Sequence, residues 1–126
     1  MNAYEVGKKL VDLCNQGKNM EAVKTLYAKD IVSVEPHGGP DMPARQQGID
    51  KVIAKTEWWY ANHTIHSGKA EGPWPHGDRF IVRFTYDVTA TSGPYAGKRM
   101  TIDEAGLYTV KDGKVVQEEF FYHMGA

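Results

Sequence analysis

The sequence predicts a single α+β domain with helices in its first half and an antiparallel sheet in its second. Up to His63 the apolar residues recur at spacings of three and four, as on amphipathic helices. Beyond His63 they alternate with polar residues, as in strands with one buried face. At 126 residues, without an internal repeat, low-complexity tract or linker, the chain has the size of one independently folding unit.

The first helix opens on Asn2, with Glu5 three residues on as in a capping box, and carries Ala3, Val6, Leu10, Leu13 and Cys14 up to Gly17. Asn19 is placed to cap a second helix bearing Met20, Val23, Leu26 and Tyr27, so the two form a hairpin. A short β-branched strand, Ile31 to Glu35, runs into a loop punctuated by Pro36, Gly38, Gly39, Pro40 and Pro43. A third helix begins after Gly48, and its stripe Ile49, Val52, Ile53, Thr56, Trp59, Tyr60 and His63 gives it the widest apolar face of the three. Phe80, Val82, Phe84, Tyr86 and Val88 then alternate against Ile81, Arg83, Thr85, Asp87 and Thr89 in a long strand. Ser92, Gly93, Pro94 and Gly97 end it. A further strand runs from Arg99 to Val110, and Asp112-Gly113 turns the chain into a last strand ending near Met124. An antiparallel sheet curled around helices leaves a cavity between them.

Fifteen basic residues nearly cancel sixteen acidic ones, so no surface field recommends nucleic acid or an anionic membrane as partner. A lone cysteine, Cys14, cannot build an internal disulfide, fits a reducing compartment such as the cytoplasm, and on the helix-one stripe reads as packing. The opening MNAYEVGKKL has no contiguous apolar signal core, and no stretch approaches the roughly 20 apolar residues of a membrane span.

Three stretches, Ser33-Val34-Glu35-Pro36-His37-Gly38, Trp59-Tyr60-Ala61-Asn62, and Val110-Lys111-Asp112-Gly113-Lys114-Val115-Val116 with its tail Phe120-Phe121-Tyr122, resemble the superfamily of nuclear transport factor two, the SnoaL-like polyketide cyclases and the ketosteroid isomerases. The resemblance implies a cone: a curved, mixed, mostly antiparallel sheet of cystatin-like type wrapped around three helices. It also implies a homodimer paired through the sheet's outer face, which here offers Arg83, Thr85, Asp87, Thr89 and Leu107. By position Glu35 falls where the isomerases place a general-base aspartate before a proline, and Tyr60 matches their third-helix tyrosine. Their helix-one oxyanion tyrosine falls on Leu10 and its acidic partner near Gly106, so the steroid-isomerising set is incomplete. Because this scaffold hosts isomerases, cyclases, dehydratases, epoxide hydrolases and non-catalytic modules, the fold does not select among them.

Which acids face the interior depends on the last hairpin. A two-residue Asp112-Gly113 turn groups Glu104 with Glu119, Phe121 and His123. A three-residue Lys111-Asp112-Gly113 loop with a glycine bulge instead puts Ile102, Glu104, Gly106, Tyr108 and Val110 on one face with Val116, Glu118, Phe120, Tyr122 and Met124. The second register gathers more apolar residues on one face and is preferred. It sets Gly106 opposite Glu118 and makes Glu104 and Glu118 diagonal neighbours, roughly 7–8 Å apart at Cα. Two carboxylates in an apolar cavity cannot both ionise cheaply, so one holds its proton as an acid while the other accepts; alternatively they bond to Tyr108 or Tyr122 as a structural network.

Glu35 ends its strand in opposite parity to Val32 and Val34, so either orientation is open. His37 beside it is a candidate proton relay or a solvated loop residue. Trp58, Trp59, Tyr60, Phe84, Tyr108, Phe120 and Tyr122 are candidate ligand walls, with core packing the competing role. His63, His66, His76 and His123 lack the tight spacing of zinc ligands, and no phosphate-cradling glycine loop or Gly-x-Ser-x-Gly elbow occurs, so neither metal nor cofactor is expected. The leading expectation is a SnoaL-like binder of a small apolar organic molecule, performing cofactor-free isomerisation, cyclisation or dehydration. Glu35, Glu104 and Glu118 would carry protons, and His37, Tyr60 and Tyr122 would orient the ligand. The competing class is a non-catalytic sensing or dimerisation module.

Overall fold

A computed structural model describes residues 1–39 and 42–123 of the chain, so Pro40 and the expected strand end at Met124 lie outside the described residues. Three helices, α1 (Ala3–Asn15), α2 (Asn19–Leu26) and α3 (Ile49–Asn62), pack against a six-stranded sheet. Its strands are β1 (Tyr27–Val34), β2 (Arg45–Gln47), β3 (His63–His76), β4 (Arg79–Ala90), β5 (Arg99–Lys111) and β6 (Lys114–Phe121), in the spatial order β2-β1-β6-β5-β4-β3. All neighbours are antiparallel except β1 and β6, so the sheet is mixed as expected.

The capping box at α1 forms in both directions: the Glu5 amide donates to the Asn2 side chain at 2.9 Å and the Asn2 amide to the Glu5 carboxylate at 3.1 Å. The cap expected of Asn19 does not form. Lys18 occupies that position without a side-chain bond, because the Asn19 amide reaches across to the Tyr86 hydroxyl at 3.2 Å. Tyr27, read from its spacing as the end of the second helix stripe, is the first residue of β1 and is buried. The Pro/Gly loop returns through β2, whose three residues pair antiparallel with the end of β1. β3 also escaped periodicity, since Gly68, Gly72, Pro73 and Pro75 break its alternation. An edge strand tolerates this, because one row of its backbone groups has no ladder to serve.

The β5–β6 hairpin corrects the expected register. Asp112 and Gly113 both take positive φ, 52° and 77°, so the turn is the two-residue kind, with Lys111 opposite Lys114. An irregularity follows at once: Val110 pairs with Val115 but Thr109 with Gln117, which leaves Val116 as the extra residue of a bulge. The bulge flips the parity back. Glu104, Gly106 and Tyr108 therefore do share a face with Glu118 and Phe120, although Val115 replaces Val116 in the buried row. Glu118 lies opposite Tyr108, not Gly106. Glu104 is four residues farther along β5, about 13 Å by strand rise, so the diagonal neighbourhood expected for the two acids does not exist.

The core gathers Val6, Leu10, Val23, Leu26, Ile31, Val52, Phe80, Val82, Phe84, Tyr108 and Val115, each aliphatic of this kind contributing about 1.5–3 kcal/mol by leaving water. Of α3 only Val52 is fully buried, with Ile49 and Ile53 packed against the core, against the expectation of the widest apolar face. Its aromatic C-terminal end overhangs the core, leaving Trp58 and Tyr60 exposed. α1 is held close to the sheet by two devices. Asn15 completes two hydrogen bonds with the backbone of Ala70, 2.8 and 3.0 Å, as though it were a residue of an added strand. Gly7 lets the helix touch the strands, since a Cβ there would sit 2.8 Å from Pro73 Cβ and 3.0 Å from the Phe80 ring. Gly7→Val is therefore expected to destabilise the fold by about 1–3 kcal/mol, as overpacking does; a denaturant titration unchanged from wild type would refute this close approach.

Candidate functional site

The polar centre of the molecule is assembled from β1, β6 and α3. Glu118, on β6, is 3% exposed and uses both carboxylate oxygens: Oε1 accepts from the Tyr27 hydroxyl and Oε2 from Ser33 Oγ at 2.7 Å. Tyr27 and Ser33 stand at opposite ends of β1 and face inward on either side of Ile31, so strand geometry delivers both donors to one acid. Lys55 reaches in from α3 and donates to Ser33 Oγ at 2.6 Å and to Glu35 Oε1 at 2.9 Å. Its ammonium also lies 5.3 Å from the Phe120 ring centroid. The order is thus Tyr27, Glu118, Ser33, Lys55, Glu35, with the last ion pair only partly exposed at 15% and 22%. Glu35 points into this network, which resolves the orientation its parity left open.

Burial acts oppositely to these partners. Removing Glu118 from water raises its pKa, while Lys55 and the bonds from Tyr27 and Ser33 pull it down. Among the described residues Glu104 has no such partners. Desolvation first, then the charges of Glu35 and Glu118, push its carboxyl up to about 8, with Lys55 opposing. Tyr122 is likewise held above its ordinary value by burial and by the charge of Glu35. The interior therefore holds carboxyls of unlike character: Glu35 anchored to an ammonium, Glu118 saturated with hydroxyl donors, and Glu104 favouring its proton.

Two recesses open on the molecule, and Glu35, Glu104 and Glu118 line neither. One of ≈ 340 Å³ lies between the end of α1, α3 and β3–β4, walled by Trp59, Tyr60, Ile65 and Tyr86. The other, ≈ 220 Å³, lies by Met100, Ile102 and Tyr122. Glu104 itself lies on β5 opposite Phe84 of β4. Phe84 and Tyr108 are buried in the core, Phe120 packs against it, and Trp58 is half exposed. His37 is exposed on the loop beyond β1. His63 stacks on Trp59 at 3.9 Å between centroids, and its Nδ1 lies 2.9 Å from the Trp59 carbonyl oxygen. Among the described residues no group of three or more His, Cys, Asp or Glu is arranged to hold a metal ion, and no helix is long and apolar enough to cross a membrane.

The family model described as the SnoaL-like domain matches residues 1–122. The chain belongs to the SnoaL-like family. A Mesorhizobium loti protein, provisionally described as a SnoaL-like polyketide cyclase, is 42% identical and superposes with a TM-score of 0.89, covering 97% of this chain and 100% of that one. An NTF2-like protein of Burkholderia thailandensis superposes at 0.81 with 18% identity, over 98% and 92% of the two chains. A Catenulispora acidiphila protein of ketosteroid isomerase-like fold, in complex with trimethylamine, superposes at 0.68 with 16% identity, over 95% and 86%. None of the curated proteins matches the chain.

Within this SnoaL-like frame, sequence reasoning found the three acids but missed Tyr27, Ser33 and Lys55. Lys55 lies one position off the α3 stripe, and Tyr27 reads by its spacing as part of the second helix. A lysine bordering an apolar stripe three residues after Val52 is the one signal that pointed inward.

The raised pKa of Glu104 fixes a pH dependence. Its folded value, about 8, exceeds its ordinary 4.5, so the folded chain binds this proton more tightly. The stability it contributes is complete below pH 4.5 and is lost as pH rises to about 8. Glu104→Gln should flatten the fall in melting temperature across that interval; an unchanged slope would contradict the buried, proton-holding carboxyl. Glu118→Gln, which offers one acceptor to two hydroxyl donors, should cost about 1–3 kcal/mol.

Proposed function

We propose that this SnoaL-like protein binds a small, largely apolar organic molecule and moves protons on it without a cofactor. Glu35 acts as base and Glu104 as acid. The observation that carries the reading is the contrast in surroundings: Glu35 is paired with the Lys55 ammonium at 2.9 Å, while burial keeps the proton on Glu104 up to about 8. Two acids in such unlike surroundings can take a proton at one position of a substrate and return one at another, the requirement of isomerisation, cyclisation or dehydration. Glu118 is given a positioning role, since both its oxygens are occupied and Ser33 links it to Lys55. A small organic molecule is bound by the Catenulispora acidiphila relative, which supports a ligand of that size class.

The assembly we propose is a homodimer through the outer face of the sheet. Arg83 and Asp87, expected in that contact, are engaged in their own strands' ion pairs, with Asp103 and Arg99 at 2.8 and 2.7 Å. Beside them Trp74, Ile81 and Leu107 form a cross-strand apolar row, with Trp74 and Ile81 exposed. This favours Ile81 over the charged pairs as the centre of the interface.

The catalytic reading is tested by following exchange of α-protons of cyclic ketones in D₂O. Wild type should accelerate exchange, Glu35→Gln and Glu104→Gln should each lose about 10²–10⁴ of the rate, and the rate should decline above pH about 8 as Glu104 loses its proton. No acceleration over buffer across the ketone panel would leave binding alone. The assembly is tested by sedimentation: Ile81→Lys should yield monomer, and an unchanged dimer would move the interface elsewhere.

A further inference from the structure

We infer that the recess between α1, α3 and β4 is the ligand's binding end, and that the Tyr86 hydroxyl, aimed by Asn19, donates a hydrogen bond there to a carbonyl oxygen of a planar ligand. The inference rests on the reading that the chain takes a small organic ligand, and not on its catalysing a reaction.

The Asn19 side-chain amide nitrogen has only protons to give, and it lies 3.2 Å from the Tyr86 oxygen. The phenol therefore spends a lone pair on Asn19, and its own proton points elsewhere. Among the described residues no side-chain or backbone acceptor takes that proton. A partly buried hydroxyl with an undirected proton at the wall of a ≈ 340 Å³ recess is a donor waiting for an acceptor.

The rest of the recess states what shape the acceptor's carrier has. Trp59 stands 6.2 Å from Tyr86 between ring centroids, tilted at 55°, and is itself fixed by stacking on His63. Tyr86 is fixed by stacking on Phe84, 6.0 Å and 7° from parallel. Tyr60 and Ile65 complete the walls, and Asn15 and Asn19 line the recess with them. Opposite Gly68, the Tyr86 ring fills the space a side chain would take, since a Cβ on Gly68 would sit 2.9 Å from it. Fixed aromatic faces beside polar groups suit a flat molecule with a polar edge.

The register joins this end of the site to the acids. Tyr86 pairs with Ile102 and Phe84 with Glu104, so Tyr86 and Glu104 are diagonal neighbours on the inner face, roughly 7–8 Å apart at Cα. A carbonyl held by Tyr86 thus places the carbon skeleton beside Glu104. Nothing in the sequence had singled out Tyr86, because its alternation marked it as one more core position.

The test uses coumarin, a planar carbonyl compound, and 2H-chromene, the same bicycle without the carbonyl, titrated calorimetrically into the full chain. Wild type is expected to bind coumarin more tightly than 2H-chromene. Tyr86→Phe should weaken coumarin about tenfold, the value of one hydrogen bond, and leave 2H-chromene unchanged. Asn19→Asp, whose carboxylate accepts the Tyr86 proton instead of donating, should weaken coumarin similarly without altering 2H-chromene. Absence of coumarin binding to wild type, or equal effects of Tyr86→Phe on both compounds, overturns the inference. Melting curves of both variants confirm that folded protein is compared. Coumarin binding without any α-proton exchange would remove the acid/base reading and leave this one standing; exchange without coumarin binding would do the reverse.

Discussion

A carboxylate shut away from water must have its oxygens satisfied, and in this molecule that requirement falls on Glu118. Its two hydroxyl donors come from both ends of β1, so the acid clamps the one parallel strand pair in the sheet along most of its length. Ser33 then passes the constraint to Lys55, and Lys55 to Glu35, which ties α3 to the strand beneath it. The third helix, of which Val52 is fully buried with Ile49 and Ile53 packed against the core, is thus held by this polar chain as well as by hydrophobic burial.

The same chain divides labour among the acids. An ammonium cannot serve three carboxylates equally, and Lys55 bonds to one of them directly. Glu118 is compensated by hydroxyls. Glu104, on the neighbouring strand, is raised in its affinity for a proton by burial first and then by the charges of Glu35 and Glu118. The unlike behaviour of these groups thus follows from how deeply each is buried and which partners it meets.

Most of the fold was legible because hydrophobic period reports burial: the hairpin of helices and the alternation along β4 follow from it, and the capping box of α1 from the spacing of Asn2 and Glu5. What it could not reveal was set by partners distant in sequence. β3 hides behind prolines that only an edge position excuses, and β2 is too short to show a period. Asn19 looks like a helix cap until Tyr86, 67 residues on, offers a better bond. The last hairpin shows how two local errors can cancel: a tighter turn and an unforeseen bulge at Val116 together give Glu104 and Glu118 the common face that a looser turn was expected to supply. The two acids were thereby grouped correctly and spaced wrongly. Lys55 was invisible for a different reason, since a long charged side chain beside an apolar stripe reads as solvated unless the buried acids it serves are already known.

The two ends of the sheet bear on how copies of the molecule can meet. One border is the three-residue β2, and the other is β3, where Pro73 and Pro75 withhold amide donors and two irregularities bend the strand. Neither border presents a long, flat row of free backbone groups to a stranger's strand. Growth by edge-to-edge strand addition, the route to amyloid-like fibres, is therefore obstructed at both margins, and self-association is diverted to side-chain surfaces, where its extent is finite.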